Sequence, residues 1–349
     1  MSDKVRFGLI GCGEIAVSTA QEIAKSRNVQ IVHTMDVAKE LASDLADKYG
    51  APTCTDNVDT LLADPAVEVV VISTPHFLHE PLTVKAAAAG KHVLTEKPIA
   101  CTLTQADRMI AAADAAKVKL GVLYPLRLNW QWRKVAELVA AGAVGKVIAV
   151  KLHNVYNKPE AYWHGGYSGR RKDDWRVSLE KSGGGYLIMN TSHSIDAVIS
   201  VLDPKPTRIY AEYGTFSTDV EVEDFISFVM RTEDGGLWSA DGASAAVGGE
   251  SHGDRIYGSK GQLVPQWDGV RIFVTEPFGD LKVGEWNKIS KPADAPDGRR
   301  LMVEGFADAV RQGTEVPVSG REGRRALEIV RGAYLSMKRG KPIEFPVKE

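Results

Sequence analysis

Short apolar runs and amphipathic segments alternate through the first third of the chain. Val5–Ile10 is an apolar run ending against a glycine, as a strand buried on both faces of a parallel sheet does. Glu14–Ser26 follows with Ile15, Thr19, Ile23 and Ala24 at helical spacing. Gln30–Met35 reads as the next strand and Ala38–Lys48 as a helix closed by Gly50. Val67–Ile72 is rich in β-branched residues and too short for a helix, Pro81–Ala89 is an alanine-rich helix ended by Gly90, and His92–Thr95, Thr104–Ala116 and Leu120–Leu123 continue as strand, helix and strand. This alternation predicts a doubly wound parallel sheet with right-handed crossovers, ending near Tyr124-Pro125.

The remainder has another rhythm. A helix at Gln131–Ala141 and a strand at Val147–His153 lead into a polar, aromatic and glycine-rich stretch, Asn154–Lys181, of a length that is usually functional when it lies in a loop. A helix over Gly185–Val201 precedes strand patterns at Arg208–Gly214, Asp224–Thr232, Gly236–Ser244, Asp254–Gly258 and Val270–Thr275, joined by turn signals such as Glu233-Asp234-Gly235-Gly236. Closing helices fall at Arg300–Gln312 and Glu322–Arg339. The expected fold class is α/β, with a large, mostly antiparallel open sheet in the second domain. The expected domains are residues 1–124 and 125–349.

Composition narrows the classes. At 349 residues the chain holds about two domains of ~150 residues. Its 44% apolar and 25% charged residues exclude a disordered chain, which could not bury enough surface to offset its conformational entropy. The 43 Lys and Arg nearly balance the 45 Asp and Glu, for a net charge of −2, so no nucleic-acid partner is expected. Cys12, Cys54 and Cys101 are too few for a disulfide framework and lack metal-ligand spacing, so no metal is expected. No run approaches ~18 apolar residues, and Met1-Ser2-Asp3-Lys4 leads directly into the first strand without an apolar leader. A cytoplasmic protein with no membrane partner is expected.

The candidate chemistry begins where the first strand ends. Gly11-Cys12-Gly13-Glu14-Ile15-Ala16 is a G-x-G-x-x-A fingerprint between a strand and a helix. The first glycine permits the turn, the second lets the backbone approach a pyrophosphate, and the small third residue lets helix and strand pack closely. Asp36 ends the second strand, 20 residues beyond Ala16. A carboxylate there accepts hydrogen bonds from ribose hydroxyls and repels a 2′-phosphate, and Val37, Ala38 and Lys39 supply no arginine to receive one, which predicts NAD rather than NADP.

Together with Ser73-Thr74-Pro75-His76 and Thr95-Glu96-Lys97-Pro98, the fingerprint resembles the glucose–fructose oxidoreductase / inositol dehydrogenase (Gfo/Idh/MocA) family. The resemblance continues through Tyr124–Arg127, residues 183–196 and Tyr257-Gly258-Ser259-Lys260-Gly261, nearly the whole chain. It implies a Rossmann domain followed by a substrate-binding α/β domain whose open sheet mediates homodimers or homotetramers. It also implies NAD as cofactor and hydride transfer at a sugar or cyclitol carbon. On the cofactor side it points to Gly11, Cys12, Gly13, Glu14, Ile15, Asp36, Ser73, Thr74, Pro75, His76, His79, Glu96, Lys97, Arg127, Trp175 and Arg176. On the substrate side it points to Lys97, Tyr124, Tyr156, Trp163, Arg170, Arg171, Trp175, Asn190 and His193.

Two of these residues are the catalytic candidates. Lys97 matches the lysine of the family's E-K-P motif, and an amine beside a carbinol oxygen can polarise it and share its proton. His193 matches the catalytic histidine after the glycine triplet, and Asp196, three residues on, is on a helical face to orient it. Many members carry an aspartate four residues before this histidine; here the position is Met189, beside Asn190. The segment Tyr162–Arg176 joins aromatic residues, which stack on sugar rings, to arginines, which bind planar anions, so an anionic sugar is among the expected substrates. Three readings follow: a dehydrogenase of a secondary sugar hydroxyl, an NAD-dependent glycoside hydrolase working by transient C3 oxidation and elimination, and a nicotinamide-sensing regulator.

Overall fold

The computed structural model describes residues 4–248 and 253–349; Met1-Ser2-Asp3, read as leading into the first strand, lies outside the described residues. Two compact units form. The first comprises Met1–Pro125, Pro159–Gly183 and Arg299–Leu327, and the second Leu126–Lys158, Gly184–Gly298 and Glu328–Glu349. The chain first passes from one unit to the other after Pro125. Two later segments return to the first, which a contiguous reading along the chain does not reveal.

The first unit holds strands β1 (Val5–Ile10), β2 (Val29–Met35), β3 (Thr53–Thr55), β4 (Val69–Ile72), β5 (His92–Glu96) and β6 (Leu120–Leu123). They pair in parallel in the order β3-β2-β1-β4-β5-β6. The sheet is apolar because both faces are covered: Val69, Val70, Val71 and Ile72 of β4 are fully buried. The order reverses between β1 and β4, so the loops leaving these strands diverge and leave a crevice at their carboxyl ends. Strand β3 has three residues and the helix Val58–Ala63 six, too few to carry a legible period.

In the second unit, β7 (Val147–Val155), β8 (Pro206–Gly214), β9 (Phe225–Thr232), β10 (Leu237–Ala243), β11 (Arg255–Gly258), β12 (Gly261–Gln266), β13 (Gly269–Val274), β14 (Trp286–Ser290) and β15 (Ile343–Glu344) form one sheet. Its order is β14-β13-β12-β11-β7-β10-β9-β8-β15, with β7 and β10 parallel and the other pairs antiparallel. Alternation sets its faces: Ile226, Phe228 and Met230 of β9 are buried, while Phe225 and Val229 are exposed. The strands that the pattern misses are β12, with a proline and a glycine, the exposed β14, and the two-residue β15. The stretch expected as a loop over Asn154–Lys181 contains the end of β7 and the helices Glu160–Gly165 and Leu179–Ser182.

The helix expected over Gly185–Val201 is a π-turn, Leu187–Thr191, running into the helix Ser192–Leu202. Its start is fixed by Glu223, which is buried. The N–H groups of Gly185 and Leu187 donate to its two carboxylate oxygens at 2.6 and 2.9 Å, and the Tyr334 hydroxyl donates at 2.8 Å. Glycine is required at 185 by close approach, since an added Cβ would lie 2.0 Å from the Glu223 carbonyl oxygen.

Burial pushes the Glu223 carboxyl up to about 7, against the three donors that favour its ionised form. Between the ordinary value of 4.5 and about 7 the folded protein holds a proton that the unfolded chain has released. The contribution is therefore fully present below the ordinary value and lost as pH rises through the folded one. Relative to Glu223→Gln, which stays neutral, the native protein is expected to lose on the order of 3 kcal/mol between about pH 5 and 8. Urea denaturation of both proteins across that range checks this. A stability difference independent of pH would show a carboxyl that does not titrate there.

Candidate functional site

The site grows from the turn after β1. Gly11 has φ +88°, and a Cβ there would lie 2.8 Å from the Ser73 carbonyl oxygen, so only glycine brings this turn against the end of β4. A Cβ on Gly13 would meet nothing within 4 Å. That space is open to a ligand. Gly13 also caps the helix Glu14–Ala24 without any side-chain hydrogen bond, leaving the first backbone N–H groups and the positive dipole end for an anion.

Around this turn lies a cavity of about 370 Å³, lined among others by Gly11, Gly13, Glu14, Ile15, Asp36, Ser73, Thr74, Pro75, Arg171, Trp175 and Arg176. The Ser73 and Thr74 hydroxyls are buried with no hydrogen-bond partner, an arrangement that costs free energy until a ligand supplies one. Free helix-end donors, a carboxylate at the end of β2 and two such hydroxyls fit a dinucleotide. Val37, Val58, Phe77, Leu78 and Leu82 also line the cavity, and their apolar types gave no signal in the sequence.

Asp36 ties the cavity's parts together. Its Oδ2 accepts the Cys12 N–H at 2.7 Å, and its Oδ1 accepts the Ala38 N–H at 2.9 Å and Arg171 Nη1 at 3.2 Å. The Cys12 thiol is buried and donates to the Met35 carbonyl. Burial, with the Asp36 charge, pushes it up to about 12, so it is an inert packing group.

The segment at 159–183 brings the expected aromatic and basic residues to the first unit. Glu14 accepts the N–H groups of Tyr167 and Ser168 at 2.9 and 2.7 Å. The Arg176 guanidinium lies 4.6 Å from the Trp175 ring and 5.2 Å from that of Tyr162, and Trp175 lies 4.5 Å from His76. Trp163 is fully buried, edge-on to Tyr162. The expectation that Arg170 and Arg171 face substrate meets a different arrangement. Arg170 donates to the Cys12 and Leu41 carbonyls and pairs with Asp44, while Arg171 pairs with Asp36. Carboxylates just after β2 and on the helix Lys39–Tyr49 draw both arginines to that end of the unit.

Glu96, Lys97 and Pro98 close β5. Glu96 is buried against Arg299, which also donates to Thr19 at 2.8 Å, and the Lys97 N–H donates to Glu96 Oε2 at 3.3 Å. A buried carboxylate needs such a partner, but 203 positions separate the two and no local pattern shows it. The Lys97-Pro98 bond is cis. His79 is buried with its ring nitrogens 2.8 and 3.1 Å from the Pro98 and Thr74 carbonyl oxygens, and His76 Nδ1 lies 2.8 Å from the Ser182 carbonyl. Burial, then the charges of His79 and Lys97, hold His76 well below its ordinary value, so this ring is neutral at neutral pH. Tyr124 is fully buried in the same unit.

Arg127, Tyr156, Asn190 and His193 belong to the second unit. Arg127 donates to both carboxylate oxygens of Asp196, and the pair is buried. Asp196, expected to orient His193, thus meets a guanidinium. Asn190 and His193 are half-buried, Met189 is buried and Tyr156 is exposed. Beside His193, the Ser194 hydroxyl donates to the buried Asp254 at 2.6 Å. Among the described residues no group of His, Cys, Asp or Glu is placed to hold a metal ion, and no helix is long and apolar enough to cross a membrane.

The 3-2-1-4-5-6 sheet and the glycine turn at its switch point define an NAD-binding Rossmann oxidoreductase. Residues 5–124 match the oxidoreductase family with an NAD-binding Rossmann fold, and residues 132–264 match the GFO/IDH/MocA C-terminal domain. The chain belongs to the Gfo/Idh/MocA oxidoreductase family. It is 28% identical to 1,5-anhydro-D-fructose reductase of Ensifer adhaerens, covering 91% of this chain and 92% of that one. It is 25% identical to myo-inositol 2-dehydrogenase of Thermotoga maritima, covering 98% of each. The solved structure of the WlbA dehydrogenase from Bordetella pertussis in complex with NADH and UDP-GlcNAcA is similar at a TM-score of 0.82 and 25% identity, over 99% of this chain and 100% of that one.

The fingerprint reading gives the ribose hydroxyls to Asp36, where Cys12, Ala38 and Arg171 leave one lone-pair position. Asp36→Ser is expected to raise the dissociation constant for NADH by roughly tenfold or more, the scale of a lost charge-assisted hydrogen bond. Fluorescence titration of NADH checks this, and an unchanged constant would place the ribose elsewhere.

Proposed function

We propose that the protein transfers hydride to or from a secondary hydroxyl of a sugar, glycoside or cyclitol, with Lys97 and His193 handling the proton. The observation that carries this reading is the position of Lys97. It follows directly on the buried Glu96 at the end of β5, next in the sheet to β4, whose end carries the partnerless Ser73 and Thr74 hydroxyls. The names of the anhydrofructose reductase and inositol dehydrogenase relatives support the substrate class.

Oxidation of a carbinol to a carbonyl removes a hydride from carbon and a proton from oxygen. NAD, when bound, accepts the hydride or, reduced, supplies it. The Gly13 turn and the helix after it would hold the pyrophosphate, and Asp36 the ribose. Lys97 would polarise the substrate oxygen and hold the proton, and His193 would pass it on, since imidazole exchanges protons near neutral pH. Asn190 can bond a substrate hydroxyl but holds no proton. Met189 gives no carboxylate at the position where many members carry aspartate, which favours one alternative. In that second reading, oxidation at C3 acidifies the C2 proton, the aglycone is eliminated, water adds and the hydride returns.

Lys97→Ala is expected to lower kcat by roughly 10²-fold or more while leaving the NADH dissociation constant nearly unchanged. Unchanged kcat with a raised KM would make Lys97 a binding residue. A panel of sugars, cyclitols, glycosides and a uronate, followed by NADH absorbance and product chromatography, separates the two readings. Net NADH formation supports the dehydrogenase, and aglycone release without net NADH supports the hydrolase. We also propose a homodimer or homotetramer through the exposed face of the nine-stranded sheet, where Tyr210, Phe225, Val229 and Leu237 are accessible. A light-scattering mass of a single protomer would contradict it.

A further inference from the structure

We propose that Arg171 sets cofactor discrimination: it offsets the charge of Asp36 so that the site takes a 2′-phosphorylated dinucleotide, NADP, as well as NAD. By sequence alone Asp36 excludes NADP, because no arginine follows it in the chain. The fold supplies one from 135 residues away. Arg171 lines the cavity with its side chain 39% exposed, and its contact to Asp36 uses one of the five N–H donors of a guanidinium. The remaining donors are the fork that binds a phosphate in two places at once.

The acceptors of Asp36 point the same way. A carboxylate offers about four lone-pair positions. Cys12 N–H, Ala38 N–H and Arg171 occupy three of them, which leaves one for a ribose hydroxyl and sets the Arg171 guanidinium beside it. The pair Asp36–Arg171 carries no net charge, and the like-charge repulsion that makes a lone aspartate reject a 2′-phosphate is largely cancelled. Arg170 differs. Its guanidinium is spent on the Cys12 and Leu41 carbonyls and on Asp44, so it clamps the glycine turn to the helix Lys39–Tyr49 and favours neither cofactor.

The inference deepens the NAD-binding assignment and rests on dinucleotide binding alone, so it stands or falls separately from the proposed reaction. The test is direct titration of NADH and NADPH against the native protein, Arg171→Ala, Arg171→Lys, Arg170→Ala and Lys39→Ala. The native constants are expected to lie within about tenfold of each other. Arg171→Ala should raise the NADPH constant at least tenfold more than that of NADH, whose retained binding shows the fold is intact. Arg171→Lys should recover most of the NADPH affinity, Arg170→Ala should weaken both cofactors by a similar factor, and Lys39→Ala should leave their ratio unchanged. Three results would overturn the proposal: native protein that does not bind NADPH, Arg171→Ala that weakens both cofactors equally, or selective loss of NADPH in Lys39→Ala.

Discussion

The first unit depends on one carboxylate. Asp36 ends β2 and accepts hydrogen bonds from the glycine turn, from the start of the helix Lys39–Tyr49, and from a guanidinium on a segment remote in sequence. Each contact alone is modest, but together they fix the turn, the helix and the remote segment about a single group. Because the group is buried and charged, it must be paired and hydrogen-bonded to be tolerated, and its partners are constrained in turn. The cavity at the switch point of the sheet takes its shape from that requirement.

The remote segment, residues 159–183, is held by the same kind of force. Glu14 takes two of its backbone N–H groups, Asp44 takes Arg170, and Asp36 takes Arg171. Three acidic residues on the first unit thus meet the basic stretch that stood out in the sequence as a candidate substrate loop. Its aromatic end, Trp175 under Arg176 and beside His76, forms the other wall of the cavity. Charge secures one end and ring packing the other.

Local pattern made the parallel sheet legible, because each of its main strands is an apolar run bounded by a helix and a turn. The glycine turn was legible for a physical reason as well: Gly11 and Gly13 are where a Cβ would block the turn or fill the cavity. What the chain hides is any partner far along it. Arg299 against Glu96, Arg171 against Asp36 and Glu223 against Gly185 each satisfy a buried carboxyl group, and nothing local to either residue announces the other. The return of residues 159–183 and 299–327 to the first unit was hidden for the same reason. The short strands β3 and β15 were invisible because two or three residues show no period. The basic character of Arg170 and Arg171 stood out in the sequence, but the carboxylates they meet could not be read there at all.

The glycine turn and the segment 159–183 wall one cavity, which we read as a single dinucleotide site. Amide hydrogen exchange with and without NADH tests it directly. NADH is expected to slow exchange in both stretches together, at Gly11–Ala16 and at Tyr167–Arg176, because the ligand would bridge two walls that share Glu14 and Asp36. Protection confined to Gly11–Ala16, with Tyr167–Arg176 exchanging as in the free protein, would contradict it.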